Sequence, residues 1–293
     1  QRPIICMSRA SSKMGASMGM ENSLASRIGR IAVIGAGNMG QAIIAGLLGI
    51  DGIEPSAVSV ANPSLEKRQH VAQTYGVATF EDNVDVLPAD TVFLAVKPAK
   101  ACEVASQLAA AGLGDALVVS VAAGISTAKL AAALGACARV VRVMPNTPLT
   151  IGAGMSGISG GAHASEADVE LVREVFASMG GAVVVDEDKQ DIVTAISGSG
   201  PAYFELFVQS MAKAGESLGL AYEDSLELAL KTMLGTAKMI DETHQDLDAA
   251  IKAVSSPGGT TVAALDAMRA GNIETTIAAG VAAAARRSKE LGA

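Results

Sequence analysis

Four apolar residues, Ile31-Ala32-Val33-Ile34, run straight into Gly35-Ala36-Gly37-Asn38-Met39-Gly40, and apolar side chains then recur at Ala42, Ile43, Ala45, Leu47 and Leu48. A short apolar run, a G-x-G-x-x-G loop and a helical period, in that order, describe a strand that turns tightly into a helix, the opening unit of a parallel sheet. In such a unit Gly35 permits the turn, Gly37 lets the backbone approach a pyrophosphate, and Gly40 lets the helix lie close to the strand. Asn38 and Met39 complete this candidate cofactor loop. Further apolar runs at 58–61, 91–96, 117–121 and 139–144 predict more strands. The fold class expected is therefore α/β, with a Rossmann-type dinucleotide-binding domain over residues 30–187.

The second strand bears on which nicotinamide cofactor is held. A carboxylate about 20 residues past the glycine loop would bond the ribose hydroxyls of NAD. That strand ends instead in Asn62-Pro63-Ser64, with Lys67 and Arg68 about one helical turn further on. Neutral donors and positive charge suit a 2′-phosphate, so NADP(H) is favoured and NAD(H) comes second. The plain alternative is that Lys67 and Arg68 form a solvated helix face. Ala95-Val96-Lys97-Pro98 ends another strand, and Pro98 stops pairing where Lys97 would reach the crevice in which open parallel sheets bind ligands. At Met144-Pro145-Asn146-Thr147-Pro148 two prolines lock a loop while the polar tips of Asn146 and Thr147 stay free, Asn146 being the expected contact. Asn83 is placed with these residues as a cofactor contact.

Beyond 182–185 the strand pattern stops. Asp191 to Ala195 leads into Ser197-Gly198-Ser199-Gly200-Pro201-Ala202-Tyr203, after which three apolar stripes predict helices. They are Tyr203, Phe207, Met211, Ala214 and Leu218; Leu226, Leu230, Met233, Ala237 and Ile240; and Ile273, Ile277, Val281 and Ala285. Residues 188–293 are thus expected to be an all-α domain that completes its core by pairing with a second copy, giving a homodimer.

Within it, Ser256-Pro257-Gly258-Gly259-Thr260-Thr261 precedes the helical spacing Val262, Leu265, Met268. A proline without an N–H, two glycines and two hydroxyl residues at a helix start leave the N–H groups from Gly258 to Thr261 unpaired at the positive end of the dipole, a place for an anion. The bland reading is a glycine-rich turn with a threonine cap.

Composition narrows the partners. A net charge of −8 over 293 residues, with no basic stripe after residue 30, argues against nucleic acid. No apolar run reaches the roughly 18 residues a membrane helix needs. Cys6, Cys102 and Cys137 are scattered, and His70, His163 and His244 share no ligand spacing with them, which argues against disulfides and metal. A small-molecule substrate and a reducing compartment follow. Residues 1–29 carry Arg2, Arg9, Lys13 and Arg27 against Glu21 alone. They are expected to be a disordered leader. The protein is then cytoplasmic, or plastid-bound if the leader is a transit peptide; Met20 could start a shorter form.

With these motifs in place, the chain resembles the Δ1-pyrroline-5-carboxylate reductase family, closest to its plant and algal forms, from about Arg30 to Leu291. The likeness rests on residues 33–40, 95–98, Val121-Ala122-Ala123-Gly124, 144–148, 197–203 and 255–261. It implies NADPH-dependent reduction of Δ1-pyrroline-5-carboxylate to L-proline, the last step of proline synthesis. Ser256, Gly258, Gly259 and Thr260 would then bind the substrate carboxylate, and the Thr261 hydroxyl would bond the ring nitrogen. Interlocked dimers are implied too, with five of them forming a decamer in some members. The chain departs from the family pattern at Lys213, at His244-Gln245-Asp246 and at Lys252. Two rival readings share the layout. A β-hydroxyacid dehydrogenase needs a lysine soon after a glycine-rich helix start, whereas Gly200 is followed by Pro-Ala-Tyr-Phe-Glu. The other is a catalytically weak NADPH-binding regulator of the same fold, against which the intact 256–261 loop counts.

Overall fold

The computed structural model describes residues 23–292; most of the expected leader lies outside them. Its final part is ordered, a correction to the disorder expected up to residue 29. Leu24–Ile28 forms helix α1, capped by the Ser23 hydroxyl, which accepts the Ser26 N–H at 3.1 Å. Ile28 is buried, and Arg27 pairs with Glu174 at 2.8 Å. One cap, one apolar anchor and one ion pair hold a turn that lacks an apolar period of its own.

The alternation that follows is β1 (Ile31–Ile34), α2 (Asn38–Leu48), β2 (Val58–Ala61), α3 (Leu65–Tyr75), β3 (Ala78–Phe80), β4 (Thr91–Leu94), α4 (Pro98–Ala110), β5 (Leu117–Ser120), α5 (Thr127–Leu134), β6 (Val140–Met144), β7 (Gly154–Gly160), α6 (Glu166–Ala177) and β8 (Gly180–Val184). The strands form one sheet in the order β3-β2-β1-β4-β5-β6-β7-β8. Every pairing among β1 to β6 is parallel; β7 then runs antiparallel to β6, with β8 parallel to β7. The order reverses between β1 and β4, so the glycine loop after β1 sits at the switch point where such sheets bind dinucleotides.

β1, β4 and β5 are buried throughout, which is why they read as unbroken apolar runs. One apolar layer joins Ile43 and Leu47 of α2 to Val172 and Phe176 of α6, with Phe176 tilted against Phe93 at 6.4 Å between ring centres. The opposite layer joins Val104 and Leu108 of α4 to Leu130 of α5.

The remaining helices are α7 (Gln190–Val193), α8 (Gly200–Ser217), α9 (Tyr222–Thr243), α10 (Leu247–Ala253), α11 (Thr260–Ala270) and α12 (Ile273–Gly292). The chain divides into two compact units, one up to Gly198 together with Arg287 onward, the other Ser199–Arg286. The 188–198 segment, expected to open the helical domain, thus packs with the sheet. The end of α12 is tied into that unit, where the Ser288 hydroxyl donates to Asp191 Oδ1 at 2.6 Å and Lys129 Nζ donates to the Gly292 carbonyl.

In the second unit α8 and α9 pack through Val208, Ala212 and Ala229, all buried. They approach so closely that a Cβ on Gly215 would fall 2.3 Å from Ser225 Oγ. The stripe read from the sequence lies elsewhere on α8: Phe207, Met211 and Leu218 are exposed within one chain. His244, with φ 49°, closes α9 by donating its N–H to Ile240 O at 2.9 Å, and Asp246 caps α10 through Ala249 N–H at 2.9 Å. His244-Gln245-Asp246, one of the departures noted above, is thus a left-handed helix end followed by an aspartate cap. Of the other departures, Lys213 donates to Gln209 at 3.3 Å and Lys252 lies exposed at the end of α10. Among the described residues no helix is long and apolar enough to cross a membrane, and no cluster of His, Cys, Asp and Glu could hold a metal ion.

Candidate cofactor and substrate sites

The glycine loop has the geometry its spacing requires. Gly35 has φ 106°, and a Cβ there would lie 2.4 Å from Ala95 O; a Cβ on Gly40 would lie 1.9 Å from Gly35 O. Both positions admit only hydrogen. At Gly37, by contrast, a Cβ would meet no protein atom within 4 Å. This is an open cradle at the N-terminus of α2, whose N-cap Gly37 supplies no side-chain acceptor. The first-turn N–H groups of Asn38, Met39 and Gly40 are left to an outside partner, and a pyrophosphate fits them. Gln41 braces the loop by donating from Nε2 to Ala36 O at 3.1 Å, a role the sequence reading missed.

The ends of β1, β2 and β4 bring Gly35, Asn62 and Ala95 side by side. Gly35 N–H donates to Ala61 O at 2.9 Å, and Ala95 N–H to Ile34 O at 2.8 Å. Val96 is half-buried next to Ala95, and Lys97 is exposed at the N-cap of α4 with Pro98 in the first turn. Beyond β2, Asn62 is buried and its Oδ1 accepts Ser64 N–H at 2.9 Å, while the Ser64 hydroxyl caps α3. Asn83 lines a cleft of about 290 Å³ with Pro63, Glu81, Asp82, Val84 and Gln107, and donates to Gln107 at 3.0 Å.

Two expectations are corrected. Arg68 does not present its charge freely, because its guanidinium donates to Asn62 O, Pro63 O and Glu81 Oε2 at 2.8, 3.0 and 2.8 Å. The amide of Asn146 is likewise engaged rather than free. Its Oδ1 accepts Met155 N–H at 2.9 Å and its Nδ2 donates to Ser197 at 3.3 Å, tying the β6–β7 connection together. Neither engagement shows in sequence, since each partner is remote along the chain or is a backbone atom.

The 256–261 loop belongs to the helical unit. Gly258 has φ 73°, and Gly259 is the N-cap of α11 with no side-chain cap, so the threonine cap of the bland reading is not formed. Gly259 N–H is nonetheless spent on Ser256 O at 2.9 Å. The N–H groups that the loop can offer an anion are thereby reduced to those of Gly258, Thr260 and Thr261, with Thr261 half-buried beside them.

A glycine loop at the switch point of a doubly wound sheet, followed in the same chain by a helical unit, defines a two-domain dinucleotide-binding protein of the Rossmann class. A family model described as "NADP oxidoreductase coenzyme F420-dependent" matches residues 30–124, and one described as "Pyrroline-5-carboxylate reductase dimerisation" matches 187–291. The chain belongs to the pyrroline-5-carboxylate reductase family and is an oxidoreductase. It is 40% identical over 264 residues to the pyrroline-5-carboxylate reductase of Pseudomonas aeruginosa, covering 89% of this chain and 96% of that one. That relative is bacterial, so this identity does not itself favour the plant and algal forms. Among solved structures, the reductase from Coxiella burnetii superposes with a TM-score of 0.85 at 36% identity, covering 91% of this chain and 99% of its own. The Plasmodium falciparum pyrroline carboxylate reductase, solved with NADP bound, gives 0.81 at 29% identity, covering 91% and 99%.

Proposed function

We propose that this chain reduces Δ1-pyrroline-5-carboxylate to L-proline with NADPH, through a cofactor domain in the sheet unit that runs up to Gly198 and a substrate and dimerisation domain in the helical unit, Ser199–Arg286. Family membership supports the reaction. The observation that carries the site is the uncapped start of α11, where Gly258, Thr260 and Thr261 offer N–H groups to a carboxylate and Ser256 shapes the turn ahead of them. In this reading the Thr261 hydroxyl accepts the N–H of the protonated ring imine and fixes its orientation. NADPH, when bound, supplies the hydride that the imine carbon takes up.

Because the imine arrives protonated, hydride uptake gives the neutral secondary amine directly, and no side-chain acid is needed. The chain's work is then positioning. On the cofactor side it falls to Gly35, Gly37, Asn38, Met39 and Gly40 at the pyrophosphate, Asn62, Ser64 and Asn83 at the adenosine end, and residues 95–98. Asn146 supports that side by holding its loop rather than by a free amide. The rival dehydrogenase reading lacks its lysine: the first one past Gly200 is Lys213, bonded to Gln209.

The same reading makes the protein a homodimer through the helical domain, with a decamer as a further assembly, in the cytoplasm. The test is NADPH and NADH oxidation with pyrroline-5-carboxylate, comparing wild type with Thr261→Ala. Loss of one hydrogen bond to a charged group should lower kcat/KM by about tenfold or more. Full activity in the variant would remove the hydroxyl from the mechanism, and absence of wild-type turnover would favour the regulator reading.

A further inference from the structure

Arg68 spends both terminal nitrogens of its guanidinium on the protein itself. Its side chain is 12% exposed although it springs from the first turns of a surface helix. One terminal nitrogen bridges the carbonyls of Asn62 and Pro63, and the other reaches Glu81 across to the end of β3. Asn62 N–H in turn donates to Phe80 O at 3.0 Å, and its side chain closes the turn onto Ser64. The 62–64 turn is thus held from four directions, and its wall, Pro63, faces the cleft shared with Glu81, Asp82 and Asn83. Two carboxylates on that cleft make a second consequence plain: swinging Arg68 toward a phosphate would strip two backbone carbonyls and leave Glu81 unneutralised.

We infer that Arg68 is a positioning residue for the adenosine end of the cofactor: it holds the 62–64 turn in its binding shape and does not itself read the 2′-phosphate. This rests on the reading of that turn as the site of the cofactor's adenosine ribose. Discrimination of the 2′-phosphate falls to the Ser64 hydroxyl, the N–H groups of the turn and the exposed ammonium of Lys67. A bridging fork is what a guanidinium provides and an ammonium does not, so Arg68→Lys preserves charge while removing the brace.

The test measures binding of adenosine 2′,5′-bisphosphate and 5′-AMP to the full chain by calorimetry, with melting temperature recorded for each variant. Wild type must prefer the bisphosphate; if it does not, the reading of the site falls, whatever Arg68 does. Given that preference, Arg68→Lys, which keeps the charge opposite Glu81 and removes the fork, should weaken both nucleotides by a similar factor of about tenfold and leave their ratio unchanged, and Arg68→Gln should weaken both at least as much. A loss confined to the bisphosphate, or its rescue by lysine, would mean that Arg68 meets the phosphate and overturns the inference. Unchanged affinities with a lower melting temperature would make Arg68 a stability element only and overturn it too. Glu81→Gln supplies a milder variant that keeps both carbonyl bonds. Affinity for 5′-AMP should stay at its wild-type value, and a loss of both affinities in this variant would show that Glu81 and not the carbonyl fork holds the turn, against the inference.

Discussion

Gly37 and Gly40 look alike in the sequence, yet they answer to different demands. At Gly40 a methyl group would press on the Gly35 carbonyl at 1.9 Å, a backbone atom that cannot rotate away. Gly40→Ala should therefore cost about 3 kcal/mol of folding stability, read by urea unfolding without any ligand. At Gly37 nothing of the protein stands within 4 Å. Gly37→Ala should leave the unfolding midpoint where it is and weaken NADPH binding at least about tenfold, because the methyl occupies the cradle. Equal losses of stability in both variants would contradict the assignment of the space over Gly37 to the cofactor. The same distinction marks what could be read from sequence at this level. G-x-G-x-x-G fixes backbone shape, and backbone shape survived the comparison. Arg68 and Asn146 were legible only as polar residues near a strand end, because their partners, Glu81 and the carbonyls of 62 and 63 in one case, Met155 and Ser197 in the other, come from long-range folding or carry no side-chain signal.

Among the elements, α6 shows how local and distant interactions converge on one group. Ser165 and Asp168 form a reciprocal cap at its N-terminus, and Arg139, arriving from just before β6, donates to the same carboxylate. Burial alone would raise the Asp168 carboxyl, but the Arg139 guanidinium and the N–H and hydroxyl of Ser165 outweigh it and hold the group below its ordinary value. A carboxyl lowered on folding contributes its stability fully above the unfolded value of about 4 and loses it as pH falls through the folded one. Asp168→Asn should thus cost about 2 kcal/mol at neutral pH, and the gap to wild type in urea unfolding should close as the pH falls below about 4. A gap independent of pH would mean that shape, not charge, carries the cap. Strands differed in legibility for a related reason. β1, β4 and β5 announce themselves because burial on both faces demands near-continuous apolar residues, and β2 and β6 remain legible despite Ser59 and Arg142. β7, Gly-Met-Ser-Gly-Ile-Ser-Gly, and the three-residue β3 do not. They sit toward the two flanks of the sheet, where a close-packed neighbour or a short pairing asks for little side-chain bulk.

For the whole molecule, the helical unit poses a problem that one chain does not solve. Phe204, Leu206, Leu218, Leu234 and Ile277 are all more than half exposed on it, and the apolar stripe that the sequence offered on α8 lies on its uncovered side. Leu230 and Leu234 lie one turn apart on α9, 49% and 60% exposed. Burying two such side chains against a second copy is worth about 1.5 to 3 kcal/mol apiece. Leu230→Glu with Leu234→Glu should therefore shift the protein toward monomer, as read by light scattering across a column. An unchanged mass would place the interface on another face. Because so much apolar surface of α8 and α9 awaits a neighbour, the amount of protein in the tube becomes a thermodynamic variable for this part of the chain. Dilution should act on it as heat or urea does, so that the melting temperature of the helical unit climbs with protein concentration.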